Sequence, residues 1–513
     1  MPTLSPIDLG IVVAYILAMT MFGVWFTNKQ KDLKTYFVGE RNVGWFLVLM
    51  SIVATETSAV TFLSVPGTAY NPAGGNFTFL QLSFGYILGR IVVARLLLPM
   101  YMRGEIFSAY QVLQQKFGPG VQRVASGLFL LTRTIADGLR LYLTALVMQF
   151  AVRTLVGQDV PGVIEWAVVG VGLITILYTY LGGMKAVLWT DLIQFTVKII
   201  GAILAAIFVV QLIPGGWPTL VEVADEANKF RWLDTRFDRT NPLTIWAGVI
   251  GGAVFSMASH GADQLMVQRY LCARNLGQAR IALVASGFVV SAQFVLFLFV
   301  GVGLFVAAKL GVFEVGDASK DEVFGLFIVS KMPVGVAGVL VAAILAAAMS
   351  TLSSSLNSSA NASVTDFYKP LRPQHPEKHY VLVGRLMTAF WGVMQILVAL
   401  VAYWSGSNQS IVNRVLAVAG FTTGLILGLF VLGRFRTPVS SRAAMVGLVC
   451  GFLAVLSVWL PSVIAQPILA WPWFALVGAG TTVAVALLFS RFVDGHSPTP
   501  ADRSPQSEQH AAG

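Results

Sequence analysis

Ala346-Ala347-Ala348-Met349-Ser350-Thr351-Leu352-Ser353-Ser354-Ser355-Leu356-Asn357-Ser358 closes the inner end of an apolar run that begins near Val334. The run reads as a membrane-spanning helix. Hydroxyls this dense need a reason inside a bilayer, where each unpaired polar group costs several kcal/mol. Ala347, Ser350, Thr351 and Ser354 fall at i, i+3, i+4 and i+7, which is one face of a helix. Their hydroxyls, with any freed backbone carbonyls, make a hard-oxygen surface suited to a small cation. Close helix packing on small residues, with Ser and Thr bonding back to the preceding turn, accounts for the same pattern without an ion.

The rest of the chain supports a membrane setting. Of 513 residues, 56% are hydrophobic and only 11% charged, with mean hydropathy +0.75. Soluble domains carry about 25% charged residues. The chain is therefore expected to be an all-α integral membrane protein. Its net charge of +10 reads as the cytoplasmic excess of Lys and Arg rather than as a nucleic-acid footprint. Cys272 and Cys450 form no metal-ligand pattern and no disulfide framework.

Hydropathy and loop charge predict about 13 spans. Approximate limits are 7–26, 43–70, 77–102, 122–154, 162–182, 187–212, 244–268, 280–309, 333–367, 381–404, 408–433, 441–461 and 469–491. The first is too long, and its leading residues too poor in basic groups, for a cleavable signal. Lys29, Lys31 and Lys34 follow it, which puts the N-terminus outside. Further inside loops would hold Arg103, Lys116 and Arg123, then Lys185, then Arg269, Arg274 and Arg280, and later Lys369, Arg372, Lys378 and Arg385. Outside loops are acidic or mixed, as at Glu222, Asp225, Glu226, Asp234 and Asp238. An odd count returns the C-terminus to the cytoplasm, with a disordered tail over 492–513.

Two spans look interrupted. The second carries Glu56 among hydroxyls in Ser51-Ile52-Val53-Ala54-Thr55-Glu56-Thr57-Ser58-Ala59-Val60-Thr61. The seventh reads Gly251-Gly252-Ala253-Val254-Phe255-Ser256-Met257-Ala258-Ser259-His260-Gly261. They lie five spans apart. Repeats of five spans must be inverted, and inverted repeats that each open on a discontinuous helix are a transporter signature. The expected organisation is an extra span and inner loop over 1–42, a first repeat over 43–212, a second over 244–433, and two C-terminal spans over 441–491.

Four stretches, in order, resemble the sodium:solute symporter family, which includes sodium–glucose, sodium–proline, iodide and sialic acid transporters. They are Tyr36-Phe37-Val38-Gly39-Glu40-Arg41; Leu177 to Asp191 with Gly182-Gly183-Met184-Lys185; Asp263-Gln264-Leu265-Met266-Val267-Gln268-Arg269; and Ala346 to Asn357 leading to Asp366-Phe367-Tyr368. The resemblance implies a LeuT-like core of two inverted five-helix repeats. It also implies a shared sodium site made by carbonyls of Ala54, Thr57 and Ala347 and hydroxyls of Ser350 and Thr351. Members similar to sialic acid transporters hold a second sodium, for which Asp191, Ser350, Ser353 and Ser354 match. For Asp191 the alternatives are snorkelling and a salt bridge to Lys185.

An arginine well inside a span is a functional hypothesis by default, and the planar fork of Arg133 suits a carboxylate. The resemblance to sialic-acid-type members implies the same role. Arg133, Asp137 and Arg140 also stand at i, i+4 and i+7 and could satisfy one another. Ser58 and Thr61 match polar substrate contacts, and Phe77 and Gln81 could face the same cavity. Glu56 departs from the family, where a neutral residue is usual. Its carboxylate must be paired or protonated; a pair with Arg133 would leave no free cation for an anionic solute.

The expectation is a sodium-coupled symporter that imports a small polar organic solute by alternating access, working as a monomer in the plasma (inner) membrane. The solute is a carboxylate in the first reading and a sugar or polyol in the second. His260, His375, His379, His496 and His510 form no cluster with Cys or acidic residues that would suggest an enzyme. A sensor would need a signalling domain, and a channel would need a pore-loop filter.

Overall fold

A computed structural model describes residues 5–25, 32–104, 106–156, 160–316, 318–405, 424–435, 439–464 and 467–492. The first half contains α1 (Pro6–Trp25), α2 (Leu33–Val38), α3 (Trp45–Glu56), α4 (Ala59–Tyr70), α5 (Gln81–Leu96), α6 (Leu98–Tyr101), α7 (Tyr110–Phe117), α8 (Pro119–Val156), α9 (Val163–Leu212) and α10 (Gly216–Glu226). The second contains α11 (Gly252–Gly261), α12 (Gln264–Leu271), α13 (Leu276–Lys309), α14 (Val323–Lys331), α15 (Val336–Ala362), α16 (Lys369–Leu371), α17 (Glu377–Trp404), α18 (Ser441–Ile464) and α19 (Phe474–Phe492). Among the described residues, eight helices are long and apolar enough to cross a membrane, or nine if α3 and α4 form one span.

The physical reasons for the lower count are local. At 50 residues, α9 would be about 75 Å long if straight, far beyond a hydrocarbon core of about 30 Å. It is broken at Gly183, whose φ of +58° only glycine adopts freely, so it holds two of the expected spans. Arg133, Asp137 and Arg140 interrupt the apolar character of α8. Residues 408–423 of the expected eleventh span, and 493–513 of the expected tail, lie outside the described residues.

The second span breaks where Glu56 and its hydroxyls predicted. Thr57 and Ser58 leave helical geometry, and α3 meets α4 at a bend of 63°. The seventh behaves differently. Its glycine-rich stretch is continuous helix, and the break comes after it, at Ala262-Asp263. Asp263 is extended and its side chain accepts from Leu265 N at 2.9 Å, capping α12. The glycines serve packing instead: a Cβ on Gly251 would lie 2.8 Å from Pro472.

The hydroxyl-rich helix α15 is buried along most of its length. Its N-terminus is capped by a different helix. Asp8 of α1 accepts from the backbone N–H groups of Gly335 and Gly338 at 2.8 and 2.7 Å. On the expected inner side, Val43 pairs with the chain just past α12, its N–H donating to Cys272 O at 3.0 Å.

Candidate functional site

The two breaks and the hydroxyl face of α15 meet. Ser350 Oγ is 3.0 Å from Ala54 O and 3.2 Å from Ala347 O. Thr351 Oγ1 is 3.1 Å from Thr55 O and 3.2 Å from Ala347 O. The last turn of α3 has no helical partners for its carbonyls, because the chain turns away at Thr57. Those carbonyls face α15 instead. Ala54, Thr57, Ala347, Ser350 and Thr351 are therefore brought together, all of them buried.

Sequence reasoning missed the cation that stands among them. Lys198 of α9 is fully buried. Its Nζ donates to Ala54 O at 2.6 Å and Thr57 O at 2.9 Å, and lies 3.3 Å from Ser350 Oγ. A lysine in the middle of the apolar run Phe195-Thr196-Val197-Lys198-Ile199-Ile200 was the available signal.

A second cation stands beside Asp191. The expectation that Arg269 lies in an inside loop is corrected: it is buried in α12. Its Nη2 lies 3.3 Å from Asp191 Oδ2 and 2.5 Å from Thr55 Oγ1, and also bonds Ser354. Ser51 Oγ donates to Asp191 Oδ2 at 2.5 Å. Asp191 thus has Arg269 as its ion-pair partner. Lys185, the alternative considered for it, pairs with Glu40 at 2.8 Å. Ser353 Oγ lies 3.3 Å from Ser350 O of its own helix.

On the other side of the α3–α4 break lies a cavity of about 200 Å³. Glu56, Ser58, Thr61, Arg133, His260 and Asp263 line it, with Phe79, Tyr86 and Phe294 among its aromatic walls. Ser58 is the N-cap of α4 but its side chain makes no capping bond, so the positive dipole end of α4, whose Ser58 and Thr61 line the cavity, has no capping oxygen from Ser58. Arg133 bonds Asp263 and lies 3.8 Å from Asp137, which also bonds Arg140. The internal pairing of Arg133, Asp137 and Arg140 is therefore only partial; the chief partner comes from α12.

Three expectations change here. Glu56 does not pair with Arg133. Its partner is Arg90 of α5, with Nη2 2.6 and 2.5 Å from its two oxygens, and His260 Nε2 lies 3.5 Å away. Gln81 does not face the cavity; its amide is spent on the connection between α10 and α11, donating to Leu243 O at 2.8 Å and accepting from Asp234 N at 3.1 Å. Phe77 packs beside it against Phe230, ring centroids 5.8 Å apart. In that connection Asp234 also binds Arg236, which holds its carboxyl down to about 2.

Comparison with known proteins gives a consistent picture. Residues 36–451 match the sodium:solute symporter family. The sodium/sialic acid symporter SiaT of Proteus mirabilis (strain HI4320) is 30% identical over 457 residues, spanning 88% of this chain and 89% of the relative. The human sodium/iodide cotransporter is 28% identical over 475 residues, spanning 90% and 70%. A solved substrate-bound, outward-open Na+-coupled sialic acid symporter superposes with a TM-score of 0.84 at 28% identity, covering 95% of this chain and 98% of that one. A nucleobase-cation-symport-1 family transporter in a closed conformation gives 0.56 at 14% identity, a likeness of fold alone.

Proposed function

The chain belongs to the sodium:solute symporter family, and from that membership we propose how its sites work. It is a multi-pass membrane protein of LeuT-like fold and a sodium-coupled symporter of a small organic solute. We read it as a carrier and not an enzyme, with its N-terminus outside and its C-terminus in the cytoplasm, acting as a monomer. Sodium is cargo here, and its coordinating groups would be the carbonyls of Ala54, Thr57 and Ala347 with Ser350 Oγ and Thr351 Oγ1. By bridging α3 and α15, the ion would fix the break at Thr57-Ser58. That would also fix the start of α4, which forms one wall of the solute cavity. Loss of the ion to the cytoplasm would free α3 from α15 and loosen the solute with it.

The solute is read as a carboxylate, as the names of the sialic acid symporters suggest. The observation that carries this is the convergence of Arg133 and the uncapped start of α4 on one cavity. A guanidinium binds a carboxylate through two parallel bonds, and a helix N-terminus favours negative charge. Ser58 and Thr61 would meet hydroxyls of the same solute. A neutral sugar or polyol is the second reading, favoured by one fact: Arg133 and Glu56 are already paired, with Asp263 and Arg90.

The test is uptake into proteoliposomes under an inward sodium gradient, with carboxylated and neutral sugars as candidate solutes. Accumulation of a carboxylate that collapses when potassium replaces sodium is the expected result. Sodium-independent uptake, or sodium-driven uptake confined to neutral sugars, would overturn the respective half of the reading.

A further inference from the structure

Lys198 has no role in the scheme above, yet its ammonium holds three of the groups assigned to sodium. It donates to Ala54 O and Thr57 O at 2.6 and 2.9 Å and reaches Ser350 Oγ at 3.3 Å. We propose that Lys198 is a tethered competitor for the coupling ion: its ammonium fills the cradle between α3 and α15 when sodium is absent, and must swing out before sodium can bind there. The proposal rests on the sodium-coupled reading and adds an internal cation to it.

The argument is electrostatic and geometric. Two cations sharing the same carbonyls would stand within a few ångströms of each other in a buried site of low dielectric, where their repulsion is poorly screened. Double occupancy is therefore excluded. An unfilled cradle is also costly, because buried carbonyls left without a donor lose their solvation with nothing in return. The ammonium satisfies them without an ion from solution.

The cradle's surroundings supply a place for the displaced group. Lys198 shares the buried face of α9 with Gln194 and Asp191, one and two turns earlier. Side chains on a helix lean toward its N-terminus, so the lysine stem already points along this face. Asp191 Oδ1 accepts no hydrogen bond and is the open acceptor on that route, while Oδ2 is taken by Ser51 and Arg269. In transport terms, the lysine would refill the cradle as sodium leaves to the cytoplasm. The empty carrier could then return without dragging an unsatisfied site through the membrane.

The experiment is thermal unfolding of the purified full-length protein against sodium chloride, with choline chloride holding ionic strength constant. It compares the wild type with Lys198→Met, which keeps the stem, and with Lys198→Gln, which keeps a neutral donor. When a competitor occupies the cradle in most molecules, apparent affinity falls by the fraction left free. Half-saturating sodium is therefore expected to drop at least about ten-fold in Lys198→Met, and adding Ser350→Ala should remove that gain. Unchanged or weaker sodium stabilisation in a folded Lys198→Met or Lys198→Gln protein would overturn the proposal. If both variants fail to fold, Lys198→Leu decides in their place: half-saturating sodium no lower than in the wild type would overturn the proposal. The proposal and the reading beneath it fail separately. Sodium binding gained in Lys198→Met alongside sodium-indifferent wild-type uptake keeps the lysine and loses the coupling. Sodium-driven wild-type uptake with no gain in the variant does the reverse.

Discussion

Arg90 Nη2 lies 2.6 Å from Glu56 Oε1 and 2.5 Å from Oε2, so a fully buried arginine of α5 clamps the last residue of α3 at its break. Ser286 holds the same guanidinium from α13 at 3.0 Å. The charge that makes Glu56 unusual is therefore part of the support of the broken helix.

Removing either member of this pair leaves the other charge buried and alone, at a cost of about 3–5 kcal/mol. Glu56→Gln and Arg90→Gln should each lower the melting temperature and abolish most uptake. The double variant should recover part of both. Singles that behave like wild type in proteoliposomes would show that Glu56 is not held by Arg90.

Asp263→Asn separates the two solute readings. Asn caps a helix about as well as Asp, so α12 should keep its start while Arg133 loses its carboxylate partner. A charge-assisted bond contributes roughly 1.5–3 kcal/mol. If the solute is a carboxylate, its half-saturating concentration should fall in Asp263→Asn and rise in Arg133→Gln. If it is a neutral sugar, both variants should impair uptake, and competition by carboxylates should be absent throughout.

Ser350→Ala with Thr351→Ala should abolish sodium-driven uptake while the protein still reaches the membrane. Each hydroxyl bonds a carbonyl of α3, so the pair latches α3 to α15 and, in the proposed site, would also bind the ion. Normal sodium dependence of uptake in the double variant would remove this cradle from the coupling.

Asp191→Asn tests the second sodium. With an ion at Asp191, Ser350, Ser353 and Ser354, the variant's sodium Hill coefficient should fall toward that of a single site. An unchanged coefficient with a lowered melting temperature would assign Asp191 to its buried cationic partners and remove the second sodium.

How much of this was legible in the residues follows a physical pattern. The hydroxyl face at Ala347, Ser350 and Thr351 and the break after Glu56 could be read, because helical period and intramembrane polarity are local signals. The partners of the charges could not. Which cation meets Glu56 depends on α5 crossing α3, and Arg133 was weighed as its partner only because both are charges placed well inside a span. Lys198 and Arg90 carried the same signal as Arg133, an ionisable group inside an apolar run, and went unassigned because no motif framed them. Gln81 was misplaced because its partners at Leu243 and Asp234 lie over 150 positions away in the chain.

The cap on α15 has a practical side for anyone handling this protein. Asp8 ties the first helix to the start of the hydroxyl-rich one through Gly335 and Gly338, and losing such a cap costs about 0.5–2 kcal/mol. A purification tag or fluorescent fusion spliced in place of Ser5 to Asp8 would cut that tie at a distance of more than 300 residues along the chain. Such a fusion should show a lowered melting temperature, and Asp8→Ala should reproduce the loss without any fusion. Labels are better added ahead of Ser5 or after Phe492, where the helix cap is left untouched.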